Sequence, residues 1–137
     1  MTTKELMVED YITFSDVQND SYCPKLKVVI IDKEDVYVSV DGDPVVDMLD
    51  SKDLAGIPLT PEILEKNGFG YIEKDENLSH YYLGEPHFCK DMNLHIGTDN
   101  TGRFWLNYYN NAIYGLRYVH QLQHAIRLCR IEKEIEL

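Results

Sequence analysis

The most informative segment for the fold is Gly115-Leu-Arg-Tyr-Val-His-Gln-Leu-Gln-His-Ala-Ile-Arg-Leu-Cys-Arg-Ile131, near the end of a chain of 137 residues. No other segment is as long and as periodic. Apolar side chains recur along it at helical spacing and predict a buried arc made of Tyr118, Val119, Leu122, Ala125, Ile126 and Cys129. Arg117, His120, His124 and Arg127 are predicted on the opposite side. We therefore expect an amphipathic helix over 115–131 that covers a β-rich body.

The chain before this helix alternates between short runs of β-forming residues and polar turns. The runs 8–15, 25–31, 36–40 and 45–49 predict a small antiparallel meander, and an SH3-like barrel of similar size is left open as an alternative. Later runs predict antiparallel hairpins over 70–74, 78–83, 92–96, 103–109 and 112–114. Between the two groups, Thr60, Pro61 and Glu62 are typical of a helix start, and Asn67-Gly68 of a helix end. The predicted fold class is α+β, with the C-terminal helix packed on the sheet.

The length fits a single compact domain over residues 1–137. Within it we predict a β-meander subdomain over 1–50. The middle helix, the hairpins and the C-terminal helix would then fill 51–137.

The formal net charge of −11 is the main compositional anomaly. Residues 116–131 carry three arginines and no acid, whereas the first 115 residues carry a net charge of −12. Such a field disfavours binding to nucleic acid or to an anionic membrane. No apolar run suggests a membrane span, no export signal is visible, and three distant cysteines do not suggest disulfides. A cytoplasmic location in a bacterial host cell is expected.

The basic residues of the helix segment form the first candidate site. Arg117, His120, His124, Arg127 and Arg130 would make a strip able to bind an acidic protein partner or an anionic small molecule, with a homo-oligomer also possible. The alternative is that the strip pairs with the acidic body of the same chain. Trp105 and Tyr109 could add aromatic contact area, unless they are core residues.

Two pairs of His and Cys side chains are candidate ligands for a metal ion. His120 and His124 are one helical turn apart, but the zinc-protease Glu is missing between them. His87 and Cys89 lie near His80 and His95, at spacings that match no finger pattern. We predict no cofactor, with zinc at these residues as the alternative. No residues are predicted to be catalytic, because no nucleophile–base pair or phosphate loop is recognisable.

Two motifs carry a resemblance to a known group of proteins. They are Ile57-Pro-Leu-Thr-Pro-Glu-Ile-Leu-Glu-Lys-Asn-Gly-Phe69 and Tyr118-Val-His-Gln-Leu-Gln123. In this order they resemble small uncharacterised proteins of Bacteroides-type bacteria, their phages and mobile elements. The resemblance covers roughly the last 80 residues and, loosely, the β-rich start. This chain departs from the group from His124 onward, where the others often continue with aromatic residues. It implies an α+β fold and a phage or mobile-element setting, and no activity or catalytic residues.

These observations predict a non-enzymatic accessory protein of a phage or mobile element. It would bind a host-defence component, a nucleotide signal or another phage protein. Two alternatives come from other classes: a metal-dependent hydrolase that uses the histidines, and a structural component of a virion or its assembly.

Overall fold

The computed structural model describes residues 1–17, 24–43, 45–75, 78–83, 94–98, 103–108 and 111–137. The fold is α+β, as predicted, with two antiparallel five-stranded sheets and two α-helices in the described residues. Contacts group the chain into two compact units. The first unit contains residues 1–57 and 118–120, and the second contains 58–117 and 121–137. Among the helices described, none has both the length and the apolar character that crossing a membrane requires.

The first unit is built on one sheet with the strand order β4-β3-β2-β1-β5. Its strands are β1 (Tyr11–Phe14), β2 (Leu26–Asp32), β3 (Asp35–Val40), β4 (Val46–Asp50) and β5 (Leu54–Gly56). β2 lies at the centre, which agrees with its apolar residues on both faces. One face buries a contiguous core made of Leu6, Ile12, Leu26, Val28, Val36, Val38 and Leu54.

Two features of this unit differ from the sequence analysis. The described strands form no closed barrel, so the SH3-like barrel considered above was wrong. The sheet also extends past residue 50, because a 3₁₀ turn at Ser51–Asp53 leads into β5, which pairs with β1. β5 was missed since its three residues are too few to show a period.

The second unit holds a sheet that runs in strict chain order, from β6 to β10. Its strands are β6 (Phe69–Asp75), β7 (Leu78–Leu83), β8 (Leu94–Thr98), β9 (Phe104–Tyr108) and β10 (Asn111–Leu116). All neighbouring pairs are antiparallel, as predicted from the hairpin pattern. Phe69, Ile96 and Leu106 are among its fully buried side chains.

Helix α1 (Pro61–Lys66) begins and ends where the sequence predicts. The Thr60 hydroxyl accepts a hydrogen bond from the Ile63 N–H at 3.3 Å, which satisfies one of the free donors of the first turn. Gly68 follows the helix with a φ of +80°, a left-handed conformation that glycine adopts without steric cost.

Helix α2 (Val119–Leu128) is shorter than the predicted 115–131. At its start, β10 continues to Leu116, which pairs with Phe104, so the first predicted residues belong to a strand. At its end, Arg130 takes a φ of +56°, and Ile131 N–H reaches back to the Ile126 carbonyl at 3.2 Å. This is a Schellman-type helix end, here with an arginine in the left-handed position.

The C-terminal tail, residues 131–137, is held by the end of α1. The Asn67 side chain donates to the Glu136 carbonyl at 2.8 Å and accepts from the Glu136 N–H at 2.7 Å. The same amide also donates to the Ile63 carbonyl. Beside this bonded position, Ile135 is only 2% exposed. One asparagine therefore bonds to the tail backbone much as a neighbouring strand would.

Candidate binding surfaces

The predicted basic strip does not form as one surface. Arg117, Arg127 and Arg130 are exposed and His124 is half-buried, but His120 is only 3% exposed. The His120 ring stacks on the Tyr118 ring, with centroids 5.7 Å apart and planes 8° from parallel. The prediction that His120 faces outward was therefore wrong. The helical period alone could not reveal this burial, because Tyr118–His120 group with the distant residues 1–57.

Backbone contacts explain the positions of two of the arginines. Arg117 donates its N–H to the Gln121 side chain at 2.8 Å, while its carbonyl accepts from Leu59. Arg130 occupies the left-handed position of the helix end, and Arg127 lies in the last turn, where a positive charge is favoured by the helix dipole. These residues have structural roles whether or not they bind a ligand.

The aromatic candidates divide in the same way. Tyr109 lies outside the described residues. Trp105 is half-buried and pairs across the strands with Gly97. Its indole lies so close to Gly97 that a Cβ at this position would clash with the ring. The Trp105 ring thus packs over the backbone of Gly97, which has no side chain of its own, as aromatic residues do for glycines in sheets.

The metal candidates are only partly visible. His87 and Cys89 lie outside the described residues. In the parts of the chain that are described, no group of three or more His, Cys, Asp or Glu side chains could hold a metal ion. His95 has its Nδ1 atom 3.4 Å from the Asn107 amide on the neighbouring strand. Burial raises the pKa of the Cys129 thiol, which makes it a poorer nucleophile at neutral pH.

A surface that the sequence analysis did not single out lies on the first unit. β4 is at the end of the strand order and, among the described strands, pairs with β3 alone. Val46 is 42% exposed and Met48 is 59% exposed. Met48 pairs with Tyr37, which in turn pairs with Ile30, itself 52% exposed. The result is a solvent-facing apolar row across three strands that ends at an open edge, which we call the β4 edge.

Acidic residues surround the β4 edge. The segment 41–53 contains five acids, Asp41, Asp43, Asp47, Asp50 and Asp53, and one lysine, Lys52. Asp50 forms an ion pair with Lys52 at 2.8 Å, and this hydrogen bond lowers the pKa of Asp50 and raises that of Lys52. Asp50 therefore stays ionised to a lower pH than an ordinary aspartate. The surface combines exposed apolar area with a negative rim.

The sequence held one signal for this surface, but an ambiguous one. Val46 and Met48 alternate with Asp47 and Leu49, so each face of the strand carries an apolar residue. The pattern predicts a strand, but it does not say which face is buried. The register with β3 decides it, by placing Leu49 opposite the buried Val36.

Comparisons with known proteins add nothing to this description: no family model matches the chain, and neither the curated proteins nor the solved structures contain a significant match.

Proposed function

We propose that this protein is a non-enzymatic accessory protein of a phage or mobile element, and that it acts by binding another protein through the β4 edge. The setting rests on the resemblance carried by the two motifs. The choice of a protein as ligand rests on the β4 edge. The partner would be a host-defence component or another protein of the same element.

The observation that carries this proposal is the exposure of Val46 and Met48 on a strand that, within the described part of the chain, pairs on one side only. An uncovered apolar edge strand is a hazard, because it can pair with other chains and cause aggregation. Natural proteins usually blunt such edges, and a retained one is often an interaction site. An anionic small molecule would need a cationic site, which the β4 edge is not.

The test is photo-crosslinking in cells of the source, with a photoreactive amino acid in place of Met48. A matched control carries the same residue in place of Leu128, which is also apolar and is 74% exposed, but lies in the second unit. We expect a discrete protein adduct from position 48 and none from position 128. The same adducts from both positions, or none from position 48, would reject the proposal.

Native mass spectrometry of the gently purified protein provides an independent check. A protein partner on the intact species is expected. A nucleotide-sized adduct in its place, lost when Arg117, Arg127 and Arg130 are replaced, would move the function to the basic residues of the second unit.

A further inference from the structure

The backbone of β4 offers hydrogen bonds in a definite pattern. In an antiparallel pair, residues alternate between positions that bond to the partner strand and positions whose N–H and C=O groups point away from it. Just beyond β4, the Ser51 N–H donates to the Glu34 carbonyl at 3.2 Å. Leu49 lies two residues before Ser51 and is therefore also a bonded position, opposite Val36. Met48 and Asp50 are then at the alternate positions, so their backbone groups face the open edge.

The side chains at the edge define what can lie beside them. Met48 projects from the same face of the sheet as Tyr37 and Ile30. Val46, two residues before Met48 in β4, projects from that face as well. A sixth strand placed next to β4 would bring every second side chain over this row. Those side chains must be apolar, because they would cover Val46 and Met48.

The charge at the edge selects the remaining side chains. Asp47 is exposed on β4, and Asp43 and Asp53 lie in the segments on either side, against the single Lys52. Opposite charges on adjacent strands stabilise pairing and like charges oppose it. The other side chains of an added strand would therefore be lysine or arginine.

The same charges argue against a second copy of this chain as the occupant. Two β4 strands side by side would bring the carboxylates of Asp47 and Asp50 against those of the copy, with one Lys52 per chain to offset them. Residues 1–57 as a whole carry thirteen acids and five lysines. A copy of the first unit would be repelled at long range as well as at contact.

From these observations we infer that the β4 edge binds an extended basic segment of the partner protein, in which apolar residues alternate with Lys or Arg, and that this segment adds to the sheet as a sixth strand. Main-chain hydrogen bonds supply affinity in this mode of recognition, and alternate side chains supply specificity. The inference rests on the proposed function and adds to it the conformation and charge of the bound segment.

The test uses the full chain and two synthetic peptides. One is a seven-residue peptide that alternates Val with Lys, and the other has Glu in place of each Lys. Fluorescence anisotropy of the labelled peptides measures binding. We expect the Lys peptide to bind at least about tenfold more tightly than the Glu peptide and to weaken as salt is raised, because the discriminating term is electrostatic.

A proline variant separates strand addition from simple charge attraction. Met48→Pro removes an N–H that faces the open edge and leaves the bonded positions of β3 and β4 intact, so the fold should persist as in other edge-strand prolines. We expect Met48→Pro to lower the affinity for the Lys peptide about tenfold. Met48→Ala, which keeps the N–H, should lower this affinity less. Circular dichroism verifies that both variants are folded.

Each result has a defined meaning. Equal binding of the two peptides, or binding unaffected by Met48→Pro in a folded variant, overturns the inference. A dimer of this chain that is lost in Met48→Pro also overturns it, because the occupant is then a second copy. If position 48 still crosslinks to a protein in cells but the Lys peptide fails to bind, the proposed function stands and this inference fails. If position 48 crosslinks to nothing, the proposed function itself fails.

Discussion

Two short segments of this protein are similar in composition and differ in what surrounds them. β4 and the tail 131–137 both consist mainly of apolar and acidic residues. In the tail, Ile135 is buried and the Glu136 backbone bonds to Asn67 in both directions. In β4, Met48 is exposed and its strand pairs with β3 alone among the described strands. The difference shows that composition alone does not decide whether such a segment finds its hydrogen-bonding partners within the chain, because this depends on which neighbour is available.

The largest effect is expected from removing the buried anchor of the tail. Ile135→Ala should lower the free energy of unfolding by about 2–5 kcal/mol, because it removes buried apolar atoms and leaves a cavity. Urea denaturation followed by circular dichroism measures this change. Glu134→Ala, at the neighbouring exposed position, is the matched control and should stay within about 0.5 kcal/mol of the unmodified protein. Equal effects of the two variants would mean that the tail is not docked.

The next largest loss of stability is expected at Asn67, whose side chain bonds to the tail backbone. Asn67→Ala should cost about 1–3 kcal/mol, because it removes both part-buried hydrogen bonds between the Asn67 side chain and the Glu136 backbone. Combined with Ile135→Ala, the loss should be smaller than the sum of the single losses by at least about 0.5 kcal/mol, since both act on the same docked segment. A strictly additive double variant would contradict the view that Asn67 and Ile135 hold the tail together.

A smaller effect is expected at the other end of α1. Thr60→Ala should cost about 1 kcal/mol through loss of the N-cap, whereas Thr60→Ser should retain most of that stability. A hydrogen bond from the Glu62 backbone, with a second from Thr60, lowers the pKa of Glu62. Because the folded pKa is the lower one, this stabilisation is present above the unfolded pKa and is lost as pH falls through the folded pKa.

NMR titration of the Glu62 carboxyl tests the same contact. In Thr60→Ala its pKa should rise part of the way towards the ordinary value, because the backbone hydrogen bond remains. An unchanged pKa would show that the Thr60 hydroxyl does not contribute.

The smallest effect on stability is expected at Met48 on the β4 edge. Met48→Ala should change the free energy of unfolding by no more than about 0.5 kcal/mol, because the side chain is already largely in water. Val36→Ala, on the neighbouring strand but fully buried, should by contrast cost about 1–3 kcal/mol. A large loss in Met48→Ala would mean that the β4 edge is covered within the chain, and it would count against both proposals.

Local chemistry was enough to predict α1. Thr60, Pro61 and Gly68 act within one turn of the helix, so their roles depend on neighbours in the sequence alone. The strands β2, β3, β7 and β9 were also predicted, since runs of β-forming residues between turns specify an extended chain. The extent of α2 was predicted less well, because residues that could continue the helix were drawn into β10 by long-range pairing with β9.

The features of the candidate sites also differ in whether the sequence was enough to predict them. The sequence was sufficient to predict the α+β class, the capped middle helix and the contrast between the strongly acidic residues 1–115 and the three arginines of 116–131. The structure was needed to show that His120 is buried, that Trp105 covers Gly97, that Asn67 binds the tail backbone and that Met48 is exposed on the β4 edge. The physical reason is that propensity, capping and charge act between residues close in the chain. Burial and strand register depend on which distant segments meet, and a single sequence without that geometry leaves both faces of a strand equivalent.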